Sequence, residues 1–147
     1  MANEVTIDIE IDAPAEAVFD YIADYTRASE WIYGLAQLEP LTEVTRGLGA
    51  RFDGELHLGA KLHAKLEITE FVEGKRFAMT SYEGVKNAST WTVDAIDADH
   101  SQATLVWSFD LGGGLSGKAL NKLVEPFIKI AAKHSSTELK KAVEAQA

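Results

Sequence analysis

A glycine-rich run in the last third of the chain has the composition of a phosphate-binding loop. Residues 112–119 read Gly-Gly-Gly-Leu-Ser-Gly-Lys-Ala and separate an alternating apolar segment from a long helical one. In a nucleotide-binding P-loop, the lysine is followed by a serine or threonine whose hydroxyl binds magnesium. Ala119 takes that place here, and no later strand supplies an acidic magnesium partner. We therefore interpret the run as a flexible connector, with Lys118 in solvent.

Four histidines are candidates for metal binding or proton transfer. His57 and His63 fall on one side of a predicted hairpin, where a turn centred on residue 60 would place them side by side. Zinc needs a third protein ligand and usually supporting hydrogen bonds, so the pair alone does not predict a metal site. The alternation places both on the charged outer face, facing solvent. His134 lies seven residues after Phe127 and is predicted to share the inner stripe of the last helix, near one end of a pocket.

Enzymatic catalysis would require an acid or base inside an apolar site, with its pKa moved toward neutrality. No pair of carboxylates stands out, and the sequence contains neither a Gly-x-Ser-x-Gly nor a His-Glu-x-x-His motif. Tyr82 and Thr90 flank one predicted turn and can direct a hydroxyl toward a ligand, although cross-strand packing explains them as well. The sequence therefore assigns no catalytic residue, and we expect no cofactor.

The composition is typical of a chain that buries a core. Hydrophobic residues make up 46% of the 147 residues, which suits a single domain over residues 1–147. No segment approaches the roughly 18 unbroken apolar residues of a membrane span. The absence of cysteine excludes disulfides and thiolate chemistry. Together with the polar, acidic start of the sequence, this leads us to expect a cytoplasmic protein.

The charge of the chain is unevenly distributed. A net charge of -9 repels phosphate backbones, which argues against nucleic acid as a partner. Residues 115–147 nevertheless carry six lysines and only three glutamates. We interpret this segment as a helix with a solvated basic face, packed against an acidic sheet; contact with a membrane surface or an acidic partner is the alternative.

The hydrophobic pattern predicts an antiparallel sheet. Residues 5–11 alternate apolar and polar side chains, as in a strand with one buried face. Two short helices follow, the second near residues 26–33. Six further strands are predicted between residues 38 and 111, beginning with residues 41–45 and including a hairpin that turns at Gly59-Ala60. Adjacent strands joined by tight turns form an antiparallel sheet.

One long helix is predicted after the sheet, from about residue 115 to residue 145. At 1.5 Å per residue, a helix of about 28 residues spans roughly 40 Å, enough to cross the domain. Pro126 should kink this helix or mark a boundary near Glu125. The apolar stripe that indicates the helix consists of Leu120, Leu123, Val124, Phe127, Ile130 and Ala131.

This order of elements predicts an α+β helix-grip fold, in which a curved, seven-stranded antiparallel sheet wraps the long C-terminal helix. Only that helix is long enough to cover the apolar face of the sheet. A strongly bent sheet cannot touch one helix everywhere, so large side chains or a ligand must fill the space between them. Simple packing of these side chains as a core is the alternative to ligand binding. The residues predicted to line the space are Trp31, Phe52, Leu56, Met79, Tyr82, Trp91, Trp107, Phe109, Leu120, Leu123, Phe127 and His134.

Several short motifs occur in an order that is typical of a known family. Residues 9–24 read Ile-Glu-Ile-Asp-Ala-Pro-Ala-Glu-Ala-Val-Phe-Asp-Tyr-Ile-Ala-Asp, and Trp31 follows them. Residues 47–52, Gly-Leu-Gly-Ala-Arg-Phe, precede a hairpin at residues 68–77. Over nearly its whole length the chain resembles the polyketide cyclase/dehydrase and lipid-transport group of the SRPBCC (START/Bet v 1-like) superfamily. The resemblance implies the helix-grip fold and a hydrophobic pocket, but no particular reaction.

Three functions follow as hypotheses. The first is binding or transport of a small hydrophobic or amphipathic molecule in the cavity, held by about 25 cal/mol per Å² of buried apolar surface, less the cost of association. The second, implied by the resemblance, is a cyclase or dehydratase acting on a polyketide-like substrate. The third, suggested by the uneven charge, is a protein-interaction module whose cavity is filled by its own side chains.

Overall fold

The computed structural model describes residues 2–146, in which seven strands and two α-helices follow the predicted order. A 3₁₀ helix, Tyr25–Glu30, lies between the first α-helix and the second strand. None of the described helices is long and apolar enough to cross a membrane. The elements are β1 Ala2–Ile11, α1 Ala15–Ala23, β2 Leu35–Pro40, β3 Arg51–His57, β4 Lys61–Val72, β5 Arg76–Gly84, β6 Lys86–Ala95, β7 Ser101–Asp110 and α2 Gly114–Glu144.

The seven strands form one antiparallel sheet in the order β1-β7-β6-β5-β4-β3-β2. Each strand from β2 to β6 pairs with the next along the chain, whereas β1 pairs with β7. The β1–β7 register runs without a shift from Ala2 opposite Asp110 to Ile11 opposite Ser101. The curled sheet and the long final helix confirm the predicted helix-grip fold.

The first two elements show how the residue pattern sets burial. In β1, Ile9 and Ile11 are buried while the residues between and beside them are exposed. This is the alternation that a strand with one face on the core requires. In α1, Val18, Phe19 and Ile22 recur at helical spacing and are completely buried. Both elements therefore direct one apolar face toward the same core.

The strand predicted at residues 41–45 is wrong. The second strand instead comprises residues 35–40, and residues 41–50 form a loop. Leu41 and Val44 are 47% and 56% exposed, so their spacing does not mark a buried strand face. The apolar pattern at this place was too short to separate a strand from a loop.

Arg46 explains the path of this loop. Its guanidinium donates hydrogen bonds of 2.9 Å to both carboxylate oxygens of Glu73 and one of 2.9 Å to Asp20. The same group lies over the rings of Phe19 and Phe71, 5.8 and 5.1 Å from their centroids. These tertiary contacts hold the loop against α1 and the β4–β5 turn.

Helix α2 has 31 residues and continues through Pro126. Proline has no backbone N–H, so the carbonyl of Lys122 loses its helical partner. Both residues are exposed, and water can satisfy that carbonyl. No boundary is therefore present near Glu125. At the start of the helix, a Cβ on Gly117 would lie 2.1 Å from the carbonyl oxygen of Gly112, so the connector folds tightly over the first turn.

Two clusters of apolar side chains lie between α2 and the sheet. The main cluster packs α1 and the sheet against the end of α2, where Leu139 and Val143 are buried. The hairpin cluster, centred on Leu58, Leu62 and Val124, packs the β3–β4 hairpin against the first half of α2. The helix is thus held at both ends of the sheet.

Candidate functional site

A cavity of about 200 Å³ lies between the main cluster and the hairpin cluster. Its walls come from all seven strands, from the 3₁₀ helix and the segment after it, and from residues 128–135 of α2. Most of the lining side chains are apolar. Gly54, which has no side chain, and the small residues Ala64 and Ala131 line it where larger side chains would fill the space. The gap expected between a bent sheet and one helix is therefore present.

Six of the twelve residues predicted to line the cavity do so in the structure. The ring of Trp31 packs edge-to-face on that of Trp91, with centroids 5.7 Å apart. Trp107 and Phe109 alternate along β7, with ring centroids 4.5 Å apart. These aromatic pairs give the cavity broad apolar faces. The six residues are Trp31, Leu56, Met79, Trp91, Trp107 and Phe109.

Three of the other predicted residues lie in the core or on the surface. Phe52 is 1% exposed and packs edge-to-face on Tyr25, behind the cavity wall. Leu123 is 55% exposed, because α2 turns this face to solvent. Tyr82 is the extra residue of a β-bulge between β4 and β5. Its exposed ring lies 4.7 Å from the guanidinium carbon of Arg51 and not in the cavity.

The last three predicted residues belong to α2 but do not line the cavity. Leu120 and Phe127 pack in the hairpin cluster around Val124. His134 is exposed, and its ring packs edge-to-face on Tyr33 with centroids 5.2 Å apart. The apolar stripe in the first half of α2 is used to hold the hairpin, so the cavity receives the next part of the helix instead.

The cavity wall formed by β2 and the segment before it was not predicted from the sequence. Tyr33, Leu35 and Leu38 line the cavity, and the backbone N–H of Tyr33 donates a hydrogen bond of 2.8 Å to Ser135 Oγ on α2. The two leucines are an odd number of residues apart, which in a regular strand would place them on opposite faces. A register shift between Leu35 and Gln37 brings both inward. The two leucines were the available sign of a buried strand face, but nothing in the sequence marks the register shift that turns both inward.

Four side chains with hydrogen-bond donors meet at the end of the cavity nearest the 3₁₀ helix. We call Tyr25, Trp31, Ser89 and Trp91 the donor cluster. Burial raises the pKa of the Tyr25 hydroxyl well above its ordinary value, although hydrogen bonds from the side chains of Ser89 and Trp91 oppose that rise. Tyr25 is therefore protonated at neutral pH. The Nε1 atom of Trp31 is buried and has no hydrogen-bond partner among the described residues.

Among residues 2–146, which the structure describes, no Lys, Arg or His lines the cavity. Its wall therefore carries no cationic side chain. Glu55 borders the wall, but its Oε2 lies 2.8 Å from Nε2 of His57, whose side chain is 46% exposed. The neighbours of Glu55, Gly54 and Leu56, are the residues whose alternation points inward. The carboxylate of Glu55 therefore lies on the outer face of the sheet.

The two hairpin histidines are not side by side. The turn is centred one residue earlier than expected, so His57 pairs with Lys61 and His63 pairs with Glu55. Both imidazoles are exposed on the outer face, where His63 Nε2 hydrogen-bonds Asp53 Oδ1. In the described part of the chain, no group of three or more His, Cys, Asp or Glu residues could hold a metal ion.

The glycine-rich run connects β7 to α2. It follows a strand of an antiparallel sheet, whereas a P-loop follows a strand of a parallel one. Lys118 is exposed. The run therefore acts as the connector that the sequence predicts.

A surface groove between β1 and α2 adjoins the cavity. Val5, Ile128 and Ala132 line both the groove and the cavity. Lys129 and Lys133 line the groove but not the cavity. The cationic groups of this region therefore lie on the solvent side of the apolar wall.

Comparisons with known proteins agree with this architecture. A family model described as polyketide cyclase/dehydrase and lipid transport matches residues 2–144. The structure of the Zhui aromatase/cyclase from Streptomyces sp. R1128 superimposes with a TM-score of 0.81 at 16% identity, covering 99% of this chain and 96% of that one. The protein TTHA0849 from Thermus thermophilus gives a TM-score of 0.81 at 21% identity, covering 99% of each chain.

A START superfamily protein from Mycobacterium smegmatis gives a TM-score of 0.76 at 14% identity, covering 98% of this chain and 99% of that one. At these identities the similarity shows that the fold is shared, but it gives no evidence about activity. A search of curated proteins found no match to the sequence.

Proposed function

Because this chain belongs to the polyketide cyclase/dehydrase and lipid transport family of the SRPBCC superfamily, we propose that it binds a small hydrophobic molecule between the sheet and α2. The observation that carries the proposal is the cavity itself. Protein interiors are close-packed, with few voids larger than a water molecule. Here about 200 Å³ stays open between two apolar clusters that hold the helix at both ends.

Burial of apolar ligand surface supplies the affinity. A compact ligand that loses about 200 Å² of apolar surface gains about 5 kcal/mol at ~25 cal/mol per Å², before the cost of association. Trp31, Trp91 and Trp107 present large rings with few rotatable bonds, so contact with them orders little additional side chain. The cavity therefore suits a compact and largely apolar molecule.

A substitution that fills the cavity tests this proposal. Ala131 lines the cavity, whereas Ala119 is exposed on the same helix. Calorimetric titration with 2-isopropenylnaphthalene should show that Ala131→Phe weakens binding at least roughly tenfold, because the new ring occupies the ligand volume. The matched variant Ala119→Phe should change the affinity less than about twofold. Absence of binding to the unmodified protein, or equal binding by both variants, would contradict the proposal.

A cyclase or dehydratase is the second candidate, because Tyr25 places a buried hydroxyl at the cavity. Its raised pKa suits hydrogen-bond donation to a carbonyl but not proton abstraction. No histidine, lysine or aspartate occurs among the described lining residues, and Glu55 points outward. Without a general base at the site, binding explains the geometry better than catalysis does.

A linear poly-β-ketone thioester separates these two functions. For a binding protein, chromatography with mass detection should show cyclised product forming at the uncatalysed rate. A rate increase that Tyr25→Phe removes would favour the cyclase instead.

The interaction-module hypothesis requires a cavity filled by the protein's own side chains. Open space remains in the cavity, which disfavours this hypothesis. The lysines that suggested it, including Lys118, Lys122 and Lys133, are exposed along α2. A solvated basic helix face accounts for them.

A further inference from the structure

The donor cluster contains more hydrogen-bond donors than it can satisfy internally. An indole N–H can only donate, and the side chains of Trp91 and Ser89 act on the Tyr25 hydroxyl as hydrogen-bond donors, since each opposes the rise of its pKa. These two bonds use the indole hydrogen and one of the two hydroxyl hydrogens. The other hydroxyl hydrogen remains, and the N–H of Trp31 is a further donor without a partner. The cluster therefore has a surplus of donors and no spare cationic or anionic charge.

A surplus of buried donors has an energetic consequence. Each donor that loses water without gaining an acceptor is energetically costly. A hydrocarbon placed against Tyr25 and Trp31 would leave this cost in place. A ligand oxygen at the same position would accept from one or both donors and remove it.

The charge of the wall sets a second condition on the ligand. An ionised carboxylate is strongly disfavoured in an apolar site unless a cation pairs with it. The residues that line the cavity include no cation. The nearby lysines, Lys129 and Lys133, line the surface groove but not the cavity. An oxygen inside the cavity is therefore favourable only when it belongs to a neutral group.

We propose that the cavity selects an uncharged, largely apolar molecule whose carbonyl or hydroxyl oxygen accepts a hydrogen bond from the donor cluster. This inference rests on the proposed binding function and adds the chemistry of the ligand. It excludes ionised carboxylates of the same size as occupants of the cavity.

Three naphthalenes of matched size separate the two conditions in calorimetric titrations at pH 7. The ketone 2-acetylnaphthalene carries a neutral acceptor, 2-isopropenylnaphthalene has the same shape without an acceptor, and 2-naphthoate carries a charged one. The unmodified protein should bind 2-naphthoate at least roughly 100-fold more weakly than the ketone, because its charge is unpaired in the cavity. Lowering the pH until the acid is neutral should reduce this difference.

Substitutions then test the origin of the acceptor preference. Tyr25→Phe should lower the ratio of the hydrocarbon Kd to the ketone Kd by roughly tenfold, because only the ketone loses a hydrogen bond. The control is Tyr82→Phe, which removes an exposed hydroxyl outside the cavity and should leave that ratio within about twofold. Trp31→Phe is a second variant with the same expected direction, because it removes the unpartnered indole donor, in case Tyr25→Phe does not fold.

The indole resonances give an independent reading. In nitrogen–proton NMR spectra, the Trp31 indole proton should move downfield with the ketone and not with the hydrocarbon. Trp31→Phe assigns this resonance among the three tryptophans of the chain.

The outcomes distinguish the two proposals. If none of the three probes binds the unmodified protein, the binding function itself fails. If the hydrocarbon binds but the Kd ratio is the same in the unmodified protein, Tyr25→Phe and Trp31→Phe, the donor cluster does not select an acceptor. Binding of 2-naphthoate as tight as that of the ketone would overturn the condition on charge.

Discussion

Glu144 joins the end of α2 to the end of β1. Its Oε2 accepts hydrogen bonds from the backbone N–H of Asp12 at 2.9 Å and from Nζ of Lys140 at 2.5 Å. Lys140 also donates to the backbone carbonyl of Glu10 at 3.1 Å. The hydrogen bond from Lys140, followed by that from Asp12, holds the pKa of Glu144 below its ordinary value. One carboxylate thus fastens the helix beside the main cluster.

Replacement of Glu144 by glutamine should therefore destabilise the protein in a pH-dependent way. The folded-state pKa is lowered, so the unfolded chain takes up a proton first as the pH falls. The contribution of Glu144 is complete above its ordinary pKa of 4.5 and is lost as the pH falls through the folded-state value. Urea denaturation should show Glu144→Gln about 1 kcal/mol less stable than the unmodified protein at neutral pH.

The same difference should shrink as the pH falls from neutral toward about 3, because Glu144 takes up a proton first in the unfolded chain and then in the folded one. Glu125, an exposed residue of the same helix, provides the control, and Glu125→Gln should have little effect at either pH. An effect of Glu144→Gln that does not change with pH would show that the charge of the carboxylate is not responsible.

At this scale, the sequence predicted individual residues only where alternation or spacing carried the information. Met79 and Trp91 were found because each lies on the apolar parity of its strand. Tyr25 and Ser89 were missed, because their positions at the cavity depend on how the 3₁₀ helix packs on β6. Tyr82 was misplaced by a bulge that the residue types do not announce.

Among the contacts between elements, the β3–β4 turn approaches α2 closely. A Cβ on Gly59 would lie 2.2 Å from the carbonyl oxygen of Leu123 and 2.8 Å from the ring of Phe127. Gly59 also has a φ of +78°, which side chains other than glycine rarely adopt. The turn can therefore reach the helix only because this residue has no side chain.

Gly59→Ala should be strongly destabilising for these two reasons. Gly74 has almost the same φ, +77°, but a Cβ there would meet nothing within 4 Å. Gly74→Ala should lose about 1 kcal/mol of unfolding free energy through the backbone conformation alone. Gly59→Ala should lose about 2 kcal/mol more, because the helix or the turn must shift. Equal losses in chemical denaturation would show that the turn does not press on α2.

At the scale of elements, strands and helices with a sustained period were predictable. Strand β1, the β3–β4 hairpin and helix α2 all follow from regular alternation or helical spacing. The failure at residues 41–45 arose because Arg46 fixes that segment through contacts with residues distant in sequence. Local patterns contain no information about such contacts.

The whole molecule is divided by its cavity into two parts of unequal packing. The second half of α2 contributes Leu139 and Val143 to the larger main cluster. The first half contributes Val124 to the smaller hairpin cluster and leaves Leu123 and Ile130 about half exposed. The position and size of this cavity depend on the angle between α2 and the sheet, which local patterns do not specify. The sequence therefore predicted that a cavity exists, but not which part of α2 would line it.

Amide hydrogen exchange should report this division. In the protein without ligand, amides of residues 120–131 should exchange at least roughly tenfold faster than those of residues 136–143, because fewer buried side chains hold the first half of the helix. Pro126 adds to this effect by removing one backbone hydrogen bond. Uniform protection along α2 would contradict the division into two clusters.

The sequence has three tryptophans, and all of them line the cavity. Ultraviolet emission excited in the indole band therefore originates almost entirely from the rings that would contact an occupant. A non-absorbing guest that displaces solvent from these rings should shift the emission maximum to shorter wavelength without any attached label. The protein thus carries its own optical reporter of occupancy, and its dissociation constants can be read from the unmodified chain.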